Sequence, residues 1–598
     1  MATESTTILT YVPVSSVWHL PVGIAHLAAV LEADGQDVVQ RYAHIEGVEF
    51  VLRQQDRERT SEALRVVRDP STGILGQYAA RITFEEISAA IPTPDTFAVE
   101  RNNVRYTATG YRGRIRELVA AVDEREHHLF HRYFAEVEVP FAVSRQPALY
   151  GISISDERQF VNGVILASMV KEALGPSTLV VLGGNVWARV RAAFGTTDFT
   201  ELFRFCDAIV AGEGPEPIRA LARDRRPDRA PSVVWLDGDR VRVNPATTPV
   251  DFNALPTPIF DRETVQWSPD FVPPLYTMSN CPMQCSFCAI AAGSDTFLGK
   301  PRSMDETVVA KHMIGIGARR FDIQDEFLTL QRQLRLGEAL RREGYEATWQ
   351  CYLTATDRLL DPSVCERLYD AGCRAVQIGL ESLDPDTLAS EAKHWNHPAN
   401  YGRILSNLAD VGIQTHVFII VGCPTEPINW SLRWLAFLED HGESILTIKA
   451  SRYRLTRRAP DERLAQTGGL AGIAIHEGPD EALLSLNRDQ FNYTQHKLSR
   501  KKVEAIRDLL EQACREHWAY QVTSTIPWWI NRGRYTLDEL REMAAVLAET
   551  VPRETPVSER QLKLALTKIS TALSDELGLR QRLANYEDAL DASRSLFV

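Results

Sequence analysis

Three cysteines lie close together near the middle of the chain, in the run CPMQCSFC that contains Cys281, Cys285 and Cys288. Cysteine thiolates are the protein ligands of iron–sulfur clusters, and this spacing lets three of them reach one cluster if the chain loops around it. Three ligands leave one iron of a four-iron cluster open to a small molecule, and the ring of Phe287 would shield the cluster. A zinc site is the second interpretation, but zinc usually takes Cys-x-x-Cys pairs and a fourth donor. No second pair follows at a suitable distance; scattered structural thiols are the third interpretation.

The elements around the cysteines predict how they are held. A short apolar segment precedes them and five more follow, each ending in polar residues; the six segments are 273–278, 320–327, 348–353, 375–382, 415–422 and 445–450. Helical stretches separate them. Strands that alternate with helices and end in polar residues indicate a partial parallel β/α barrel with its site at the carboxyl rim.

The N-terminal part predicts a second, Rossmann-like α/β sheet. Its apolar strand segments are 7–12, 37–42, 148–155, 178–185 and 208–211, and Pro21 opens a helix after the first of them. Strand, helix, strand is the opening of a parallel sheet. Residues from about 43 to 146 break this pattern with a charged, helical stretch that we interpret as an insertion.

Small residues end the strands of this first sheet. They are Ser153 and Ser155, Gly183 and Gly184, and Gly212, Glu213 and Gly214, while the first strand runs into a loop that contains Ser15, Trp18 and His19. In an open parallel sheet such loops line the crevice where ligands bind, and glycines let a ligand approach the backbone closely. Each glycine pair is equally consistent with turn chemistry.

Composition limits the class of protein. The chain has 598 residues, 44% hydrophobic and 24% charged, which predicts a soluble globular protein of about three or four units. No apolar run approaches the roughly 18 to 20 residues of a membrane span, and the first residues are too polar for a signal peptide. Nine cysteines, three of them clustered, favour a reducing cytoplasm over a disulfide framework. The net charge of −13 argues against nucleic acid and favours a small-molecule or peptide substrate.

Taken together, the glycine-looped sheet followed by the cysteine run and six strands resembles the cobalamin-dependent radical S-adenosylmethionine (SAM) enzymes. That resemblance implies three cofactors: a [4Fe-4S] cluster on Cys281, Cys285 and Cys288, SAM on its open iron, and cobalamin on the first sheet. It implies a cobalamin-binding domain at 1–250, a radical SAM barrel at 251–455 and a helical capping or substrate domain at 456–598. The loops of the first sheet would then line the corrin pocket. The Asp-x-His-x-x-Gly motif that supplies a histidine to cobalt in other cobalamin proteins is absent, as it commonly is in these enzymes.

The resemblance also assigns residues at the barrel rim. Gln324 and Asp325 fall where these enzymes contact the SAM amino group, and Gln324 replaces an aspartate of many relatives. Glu381 and Ser382 resemble the fourth-strand SAM motif, and Lys393 would pair with the SAM carboxylate. Each has a plainer interpretation as a helix cap or surface charge. We predict catalytic roles for Glu326, Tyr352 and Arg452, which lie at or beside strand ends.

The leading hypothesis is a C-methyltransferase of natural-product (antibiotic) biosynthesis. An external donor such as flavodoxin or ferredoxin would reduce the cluster, one SAM would give a 5′-deoxyadenosyl radical, and methylcobalamin would deliver the methyl group. Alternatives remain. The same architecture can run a rearrangement such as ring contraction. It can methylate without a radical, as a tryptophan methylase does, if Glu326 or Asp325 occupies the open iron. A binding or sensor protein with a structural cluster is the remaining class.

Overall fold

The computed structural model describes residues 6–100, 103–195, 197–246, 249–261, 267–290, 300–476, 482–485, 493–495, 500–515 and 533–550. Two parallel sheets with helices packed around them dominate it, so the predicted α/β class is confirmed. One continuous hydrophobic core runs from Ile8 in the first strand to Ala544 near the end of the described chain. No helix among the described residues is both long and apolar enough to cross a membrane.

The first sheet has seven strands. The strands found between residues 7 and 243 are β1 Thr7–Tyr11, β2 Val38–Arg41, β3 Thr96–Glu100, β4 Asn103–Thr107, β5 Leu149–Ser153, β6 Leu179–Gly183, β7 Ala208–Val210, β8 Val233–Asp237 and β9 Arg240–Val243. The order in the sheet is β2-β1-β5-β6-β7-β8-β9, with the first five strands parallel and the last two antiparallel. Every residue of β1 is buried, as expected of a parallel strand covered on both faces.

The strand order of the first sheet indicates where a ligand would bind. The five parallel strands, numbered among themselves, run 2-1-3-4-5, and the chain reverses direction across the sheet between β1 and β5. Ligands of such doubly wound sheets bind at that switch point, outside the carboxyl ends of the strands. The loop after β1 and the loop after β5 therefore flank the expected binding crevice.

The segment between β2 and β5 is mostly helical, as predicted, but it also contains a β-hairpin. The helices of the first part of the chain are α1 Val22–Ala33, α2 Ala43–Gln55, α3 Arg57–Arg68, α4 Ile74–Ala89, α5 Ile115–Asp123, α6 His131–Tyr133, α7 Val139–Arg145, α8 Phe160–Leu174, α9 Asn185–Val190 and α10 Pro215–Asp224. Strands β3 and β4 pair antiparallel within the segment. The alternation of buried Phe97, Val99, Val104 and Tyr106 is the period of a half-buried strand, which explains the departure from helix.

The second sheet has six parallel strands in sequential order, as predicted. Strands of this part are β10 Pro274–Leu275, β11 Met278–Ser279, β12 Arg302–Ser303, β13 Arg320–Ile323, β14 Thr348–Leu353, β15 Cys373–Glu381, β16 Gln414–Val421 and β17 Thr447–Arg452. The sheet is β10-β13-β14-β15-β16-β17. The first strand is only two residues long, shorter than the predicted 273–278, because the chain leaves the sheet to pair β11 with β12.

Helices cover one face of this sheet and continue into the C-terminal part. They are α11 Glu306–Ile316, α12 Leu330–Arg342, α13 Pro362–Ala371, α14 Pro385–Ser390, α15 Tyr401–Asp410, α16 Ile428–His441, α17 Pro460–Gln466, α18 Arg500–Arg515 and α19 Leu537–Thr550. A small antiparallel pair, β18 Ile473–Ile475 and β19 Tyr493–Gln495, interrupts the predicted helical C-terminal region. Residues 551–598 of that region lie outside the described part of the chain.

The loops at the carboxyl edge of the first sheet contact the rim of the second. Arg302 on β12 binds the carboxylate of Glu213 in the loop after β7, and also donates to the Val250 carbonyl at 2.7 Å. His19, in the loop after β1, has Nε2 3.8 Å from a carboxylate oxygen of Asp322 on β13. Arg458, beyond β17, donates to the backbone carbonyl of Arg189. The two carboxyl edges therefore face each other across a shared gap.

Candidate functional site

The cysteine loop follows β11 at the rim of the second sheet. All three thiols are partly exposed, and the Cys288 amide donates to the Cys285 carbonyl at 3.1 Å, which closes the loop. Burial raises the pKa of Cys281 to about 11 and that of Cys285 to about 12, and the charge of Cys288 adds to both shifts. The three thiols belong to one short loop, and cysteine thiolates are the ligands of an iron–sulfur cluster. Metal binding there must release the thiol protons.

Among the described residues, no three His, Cys, Asp or Glu side chains converge closely enough to hold a single metal ion.

Asp325 binds the backbone of the segment that leads into the cysteine loop. Its carboxylate accepts hydrogen bonds from the amides of Thr277 at 2.6 Å and Met278 at 3.0 Å, and from the Thr277 hydroxyl. Arg332 on α12 approaches the same carboxylate at 3.4 Å. Asp325 is fully buried, so its oxygens are occupied by protein groups. These protein groups are the partners that the structure gives Asp325, and its contact with the SAM amino group stays a prediction.

Glu326 is the acid that remains at the rim beside the cysteines. One of its oxygens accepts a hydrogen bond from the Tyr276 hydroxyl at 3.4 Å. Burial raises the pKa of Glu326 to about 7, and the charge of Asp325 adds to the shift. Gln324 turns the other way and donates to Asp322 at 3.1 Å. Of the three predicted residues at this strand end, Glu326 is therefore the one placed to exchange a proton near neutral pH.

The end of β15 carries a buried ion pair. Lys393 Nζ lies 2.7 Å from Glu381 Oε1 and 3.0 Å from the Gly379 carbonyl, so its partner here is Glu381, whereas the sequence predicted the SAM carboxylate. Ser382 donates to Glu426, which also accepts from Ser431 at 2.5 Å. Burial raises the pKa of Glu426 to about 7. Of the predicted residues, Lys393 and Glu381 pair with each other, while Ser382 pairs with Glu426, which was not predicted.

Two acids that sequence reasoning missed hold the middle of the cysteine loop. The Ser286 hydroxyl donates to Glu391 Oε2 at 2.8 Å, and the Asp461 amide donates to the Ser286 carbonyl at 3.0 Å. Both carboxyls are buried, and burial together with their mutual charge raises the pKa of Glu391. The sequence offered one signal for Glu391, which is that it lies two residues before the predicted SAM-binding residue Lys393. For Asp461, no neighbouring residue or motif in the sequence indicated a role at the site.

The loops of the first sheet place the predicted hydroxyls at the switch point. Tyr11 closes β1 with its hydroxyl 3.3 Å from Ser15 Oγ, and Ser155 interacts with the same phenol. Ser153 ends β5 and Gly183 ends β6, side by side in register. Gly212 and Gly214 flank Glu213 beyond β7. These residues line the carboxyl edge that faces the barrel rim.

Gly184 has a structural requirement of its own. Its φ is +106°, and a Cβ built there would stand 2.1 Å from the Ile154 carbonyl oxygen. The glycine is therefore needed for the close approach of two loops, whichever ligand lies above them.

Trp18 and His19 have different surroundings, although they are adjacent. Trp18 is 5% exposed and packs edge-on against Trp267 in the core, with ring centroids 5.8 Å apart, and its place in the corrin pocket stays a prediction. His19 reaches the barrel side of the gap, near Asp322. Glu213 is likewise engaged by Arg302, which makes it a link between the sheets.

The predicted catalytic residues Tyr352 and Arg452 have different partners. Tyr352 is on the polar face of β14, stacked with Phe418 at 6.2 Å, and burial raises the pKa of its phenol to about 12, with Asp322 and Glu326 adding. Arg452 ends β17, and its guanidinium pairs with Glu504 on α18 at 2.9 Å.

Arg189 is a further residue that sequence reasoning missed. It lies on α9, which follows the loop after β6, and its side chain forms no hydrogen bond with the described residues. Burial lowers the pKa of its guanidinium, while the negative charges of Cys288 and Glu326 act in the opposite direction. The charge of this first-sheet guanidinium therefore interacts with Cys288 and Glu326 at the barrel rim.

A surface recess of about 400 Å³, lined by Pro215, Glu216, Arg219, Pro249 and Asp251 among others, contains none of the chemical groups described above.

Residues 275–436 match the family model of the radical SAM superfamily. Among curated proteins, bacteriochlorophyllide d C-12(1)-methyltransferase of Chlorobaculum tepidum is 27% identical over 227 residues, 36% of this chain and 46% of that protein. Hopanoid C-2 methylase of Rhodopseudomonas palustris is 24% identical over 277 residues, 45% of this chain and 49% of that protein. The chain thus matches less than half the length of these relatives.

Two solved structures share the fold over almost the whole chain. OxsB, a cobalamin-dependent S-adenosylmethionine radical enzyme solved with aqua-cobalamin and SAM, superimposes with a TM-score of 0.57 at 13% identity, covering 99% of this chain and 80% of that one. TsrM from Kitasatospora setae, a radical SAM methyltransferase solved with cobalamin and a [4Fe-4S] cluster, gives 0.55 at 14% identity, covering 91% and 100%.

Proposed function

Because the chain contains a radical SAM domain and has the fold of the cobalamin-dependent radical SAM enzymes, we propose that it is a cobalamin- and SAM-dependent C-methyltransferase. Its substrate would be a small molecule or peptide of natural-product biosynthesis. Curated relatives that are named methyltransferases support the reaction class.

The observation that supports the proposal most directly is that the carboxyl edges of the two sheets, where ligands are expected to bind, face each other. The switch-point loops of the first sheet face the cysteine loop and Glu326, and the pairs Arg302–Glu213 and His19–Asp322 span the gap. A methyl carrier held on the first edge would lie opposite a substrate held in the second. Such closeness is what transfer between two bound groups requires.

Each edge offers donors that fit its proposed cofactor. Cys281, Cys285 and Cys288 would hold the [4Fe-4S] cluster, and Gln324, Glu381, Ser382 and Lys393 are the residues proposed around SAM. Ser15, Ser153, Ser155, Gly183 and Gly212 would border cobalamin. When bound, the cluster and SAM supply a 5′-deoxyadenosyl radical, and cobalamin supplies a transferable methyl group.

The protein's own side chains would exchange protons at the site, and the first sheet would limit the entry of water. Glu326, with its pKa raised to about 7, can accept or release a proton at the rim. Tyr352, with its pKa raised to about 12, keeps its phenol proton and presents it to the lumen. The first sheet, lying over the barrel mouth, would exclude water from the gap.

A second candidate is methylation without a radical, because one acid at the open iron position has no strong partner. Asp325 is occupied by Thr277, Met278 and Arg332, which leaves Glu326 as the carboxylate able to occupy that iron. In that case SAM would yield S-adenosylhomocysteine alone. The Glu326→Gln variant distinguishes the two: it would gain 5′-deoxyadenosine production if Glu326 blocks the iron, and would not if the radical route already operates.

The test uses protein reconstituted anaerobically with iron, sulfide and cobalamin. Iron and cobalt per chain are measured first, followed by 5′-deoxyadenosine, S-adenosylhomocysteine and methyl-labelled product from SAM with a deuterated methyl group. We expect about four irons per chain by the cluster type, one cobalamin, and both SAM-derived products. A reduced flavodoxin or ferredoxin is the proposed electron donor, and a reducing cytoplasm the proposed location.

The control is Cys285→Ala compared with Cys206→Ala. Cys206 is buried just before β7, at the end of that strand opposite the loop that meets the barrel, so its variant should keep the iron and Cys285→Ala should lose it. Iron and activity retained in Cys285→Ala would rule out the cluster, and a chain that holds no cobalamin would rule out the assignment of the first sheet.

A further inference from the structure

Strand alternation shows which side chains of the second sheet point into the barrel lumen. Trp349 on β14 donates a hydrogen bond to Gln333 on the covering helix α12 at 3.2 Å, so Trp349 faces the helices. Gln350 and Tyr352, which alternate with the helix-facing positions, therefore face the lumen. The register of the parallel strands sets Gln377 on β15 beside Tyr352, so Gln377 also points inward.

Gln350 has a hydrogen-bond acceptor that no group of the described residues uses. Its Nε2 donates to Asp322 Oδ1 on β13, and the two residues are register neighbours. This bond fixes the orientation of the amide, because the opposite orientation would place Oε1 against a carboxylate. Gln350 is fully buried, and its Oε1 has no hydrogen-bond partner in that part of the chain. A buried acceptor without a donor is unfavourable, and a ligand N–H group would satisfy it.

Gln377 is a second lumen amide without a partner. Only 3% of its surface is exposed, and its side chain forms no hydrogen bond with any described residue. Gln350 is the register neighbour of Ala375, which lies two residues before Gln377 on the same strand. Strand spacing and rise then put the Gln350 and Gln377 Cα atoms about 8 Å apart. Ala375 stands between the two amides with only a methyl group, which offers neither of them a hydrogen bond.

Aromatic rings border the two amides on the side of the rim. Tyr352 lies beside Gln377, and its ring stacks with Phe418, with planes 16° apart and centroids separated by 6.2 Å. Phe418 is one layer nearer the carboxyl ends of the strands than Gln377. Tyr352, His416 and Phe418 are partly exposed, so a ligand that enters the lumen can contact them. Apolar rings beside a small number of polar groups are the usual composition of a small-molecule site.

We propose that the substrate carries a primary carboxamide and that Gln350 and Gln377 bind it at the floor of the lumen. One N–H of this group would donate to Gln350 Oε1 and the other to Gln377 Oε1. Its carbonyl oxygen would accept from Gln377 Nε2. A carboxamide has two N–H donors and an acceptor oxygen in a single plane, which matches the groups that the two glutamines leave unused. The inference rests on the proposed function and adds the substrate class.

The position of Gln377 connects this floor to the proposed chemistry. The next lumen-facing residue of β15 is Gly379, whose carbonyl accepts a hydrogen bond from Lys393 at 3.0 Å. Lys393 also pairs with Glu381 at 2.7 Å. A substrate held by Gln377 would therefore extend from the floor of the lumen toward the residues proposed around SAM.

The adenine of SAM presents similar chemistry, because its amino group lies beside a ring-nitrogen acceptor on one edge. The experiment therefore separates a substrate carboxamide from the cofactor base. Benzamide and acetophenone are the probes, since they share a phenyl ring and a carbonyl and differ in an amino against a methyl group. Their binding to the reconstituted protein is measured by titration with saturation-transfer difference NMR.

We expect benzamide to bind about fivefold more tightly than acetophenone, because only benzamide donates hydrogen bonds. Gln377→Met should reduce that preference to about twofold or less. Its melting temperature and iron content should not fall, because Gln377 gives up no hydrogen bond with the described residues. The matched control is Gln331→Met, which should keep the preference because Gln331 is exposed on α12.

Equal affinities of the two probes for the unchanged protein would contradict the proposal, and this comparison stands even if a variant fails to fold. An unaltered preference in Gln377→Met would also contradict it. A lower melting temperature of Gln377→Met would show that Gln377 has a structural role, which contradicts the proposal as well.

SAM supplies the remaining comparison, with its affinity measured by equilibrium dialysis. Weaker SAM binding in Gln377→Met would mean that Gln377 binds adenine and that the substrate assignment is wrong, whereas unchanged SAM binding supports the substrate carboxamide. The two proposals fail separately. A preference for benzamide in a chain that transfers no methyl group contradicts the methyltransferase, and methyl transfer by a chain that binds both probes equally contradicts only the carboxamide site.

Discussion

At the scale of single residues, the buried imidazole of His44 is neutral in the folded protein, and folding stability depends on its staying so. It is fully buried on α2 and its Nε2 lies 3.0 Å from the His19 carbonyl. Burial lowers its pKa to about 4. The folded protein therefore takes up this proton at lower pH than the unfolded chain, whose histidines titrate near 6.5.

Folding stability should fall as the pH drops from about 6.5 toward 4, because only the unfolded state gains the proton in that window. His44→Gln keeps a donor for the carbonyl but cannot titrate. We expect urea unfolding at pH 7.5 and pH 5 to show that the variant loses about 2 kcal/mol less than the unchanged protein. Equal losses in the two proteins would contradict this role.

Gly184 is the second residue whose substitution has a defined result. An alanine there combines a positive φ with a Cβ against the Ile154 carbonyl. We expect Gly184→Ala to cost at least about 2 kcal/mol and to lower the melting temperature and the cobalamin content together. Gly23→Ala is the control, because a Cβ at Gly23 on α1 meets nothing within 4 Å. A Gly184→Ala protein as stable as Gly23→Ala would show that the loops can separate without cost.

At the scale of elements, Asp325 links the segment that follows β10 to α12. Asp325→Asn replaces one carboxylate oxygen by an amide NH2, which cannot accept from the Thr277 or Met278 amide, and removes the negative charge near Arg332, whose other ion pair is with Glu306. We expect Asp325→Asn to lose about 2 to 4 kcal/mol and to bind less iron after reconstitution.

The control for Asp325→Asn is Asp305→Asn, since Asp305 is exposed before α11 and its side chain caps nothing. Urea unfolding and iron per chain are measured for both. Iron content equal to that of the unchanged protein in Asp325→Asn would mean that the cysteine loop keeps its shape without this carboxylate.

At the scale of the whole molecule, Arg302 and Glu213 hold the two sheets face to face. Their side chains are 23% and 13% exposed, and Arg302 also binds Ser279 at 3.0 Å. We expect Arg302→Gln to cost about 1 to 3 kcal/mol, to increase protease cleavage near the Val250 segment, and to slow methyl transfer while iron is retained.

Arg335→Gln is the comparison, because Arg335 is 51% exposed and its pair with Glu306 joins elements of the barrel alone. A surface pair of this kind contributes about 0 to 1 kcal/mol. If Arg302→Gln behaves like Arg335→Gln in cleavage and in methyl transfer, other contacts hold the sheets together.

The sequence was sufficient to predict the features that depend on local residue patterns. Periodicity and strand ends predicted both sheets and put the cysteines at the end of the first barrel strand. The hairpin of β3 and β4 also had a signal, the alternation from Phe97 to Tyr106, which the charged surroundings obscured.

Long-range pairing was not predictable. Ser286 and Glu391 are 105 residues apart, and no local pattern says that they meet. The same holds for Asp325, whose position at a strand end suggested a ligand contact until its hydrogen bonds to Thr277 and Met278 were seen. Arg452 has a long-range partner of the same kind, because its guanidinium pairs with Glu504 on α18, which no local pattern indicates.

The bonds of Asp325 also bear on the order of assembly in the cell. Its acceptors are filled by Thr277, Met278 and Arg332, and none of these contacts requires iron. The frame that carries the cysteines can therefore form during folding of the barrel, before any metal arrives. Iron and sulfide would then be inserted late, into a loop whose entry is already fixed by hydrogen bonds.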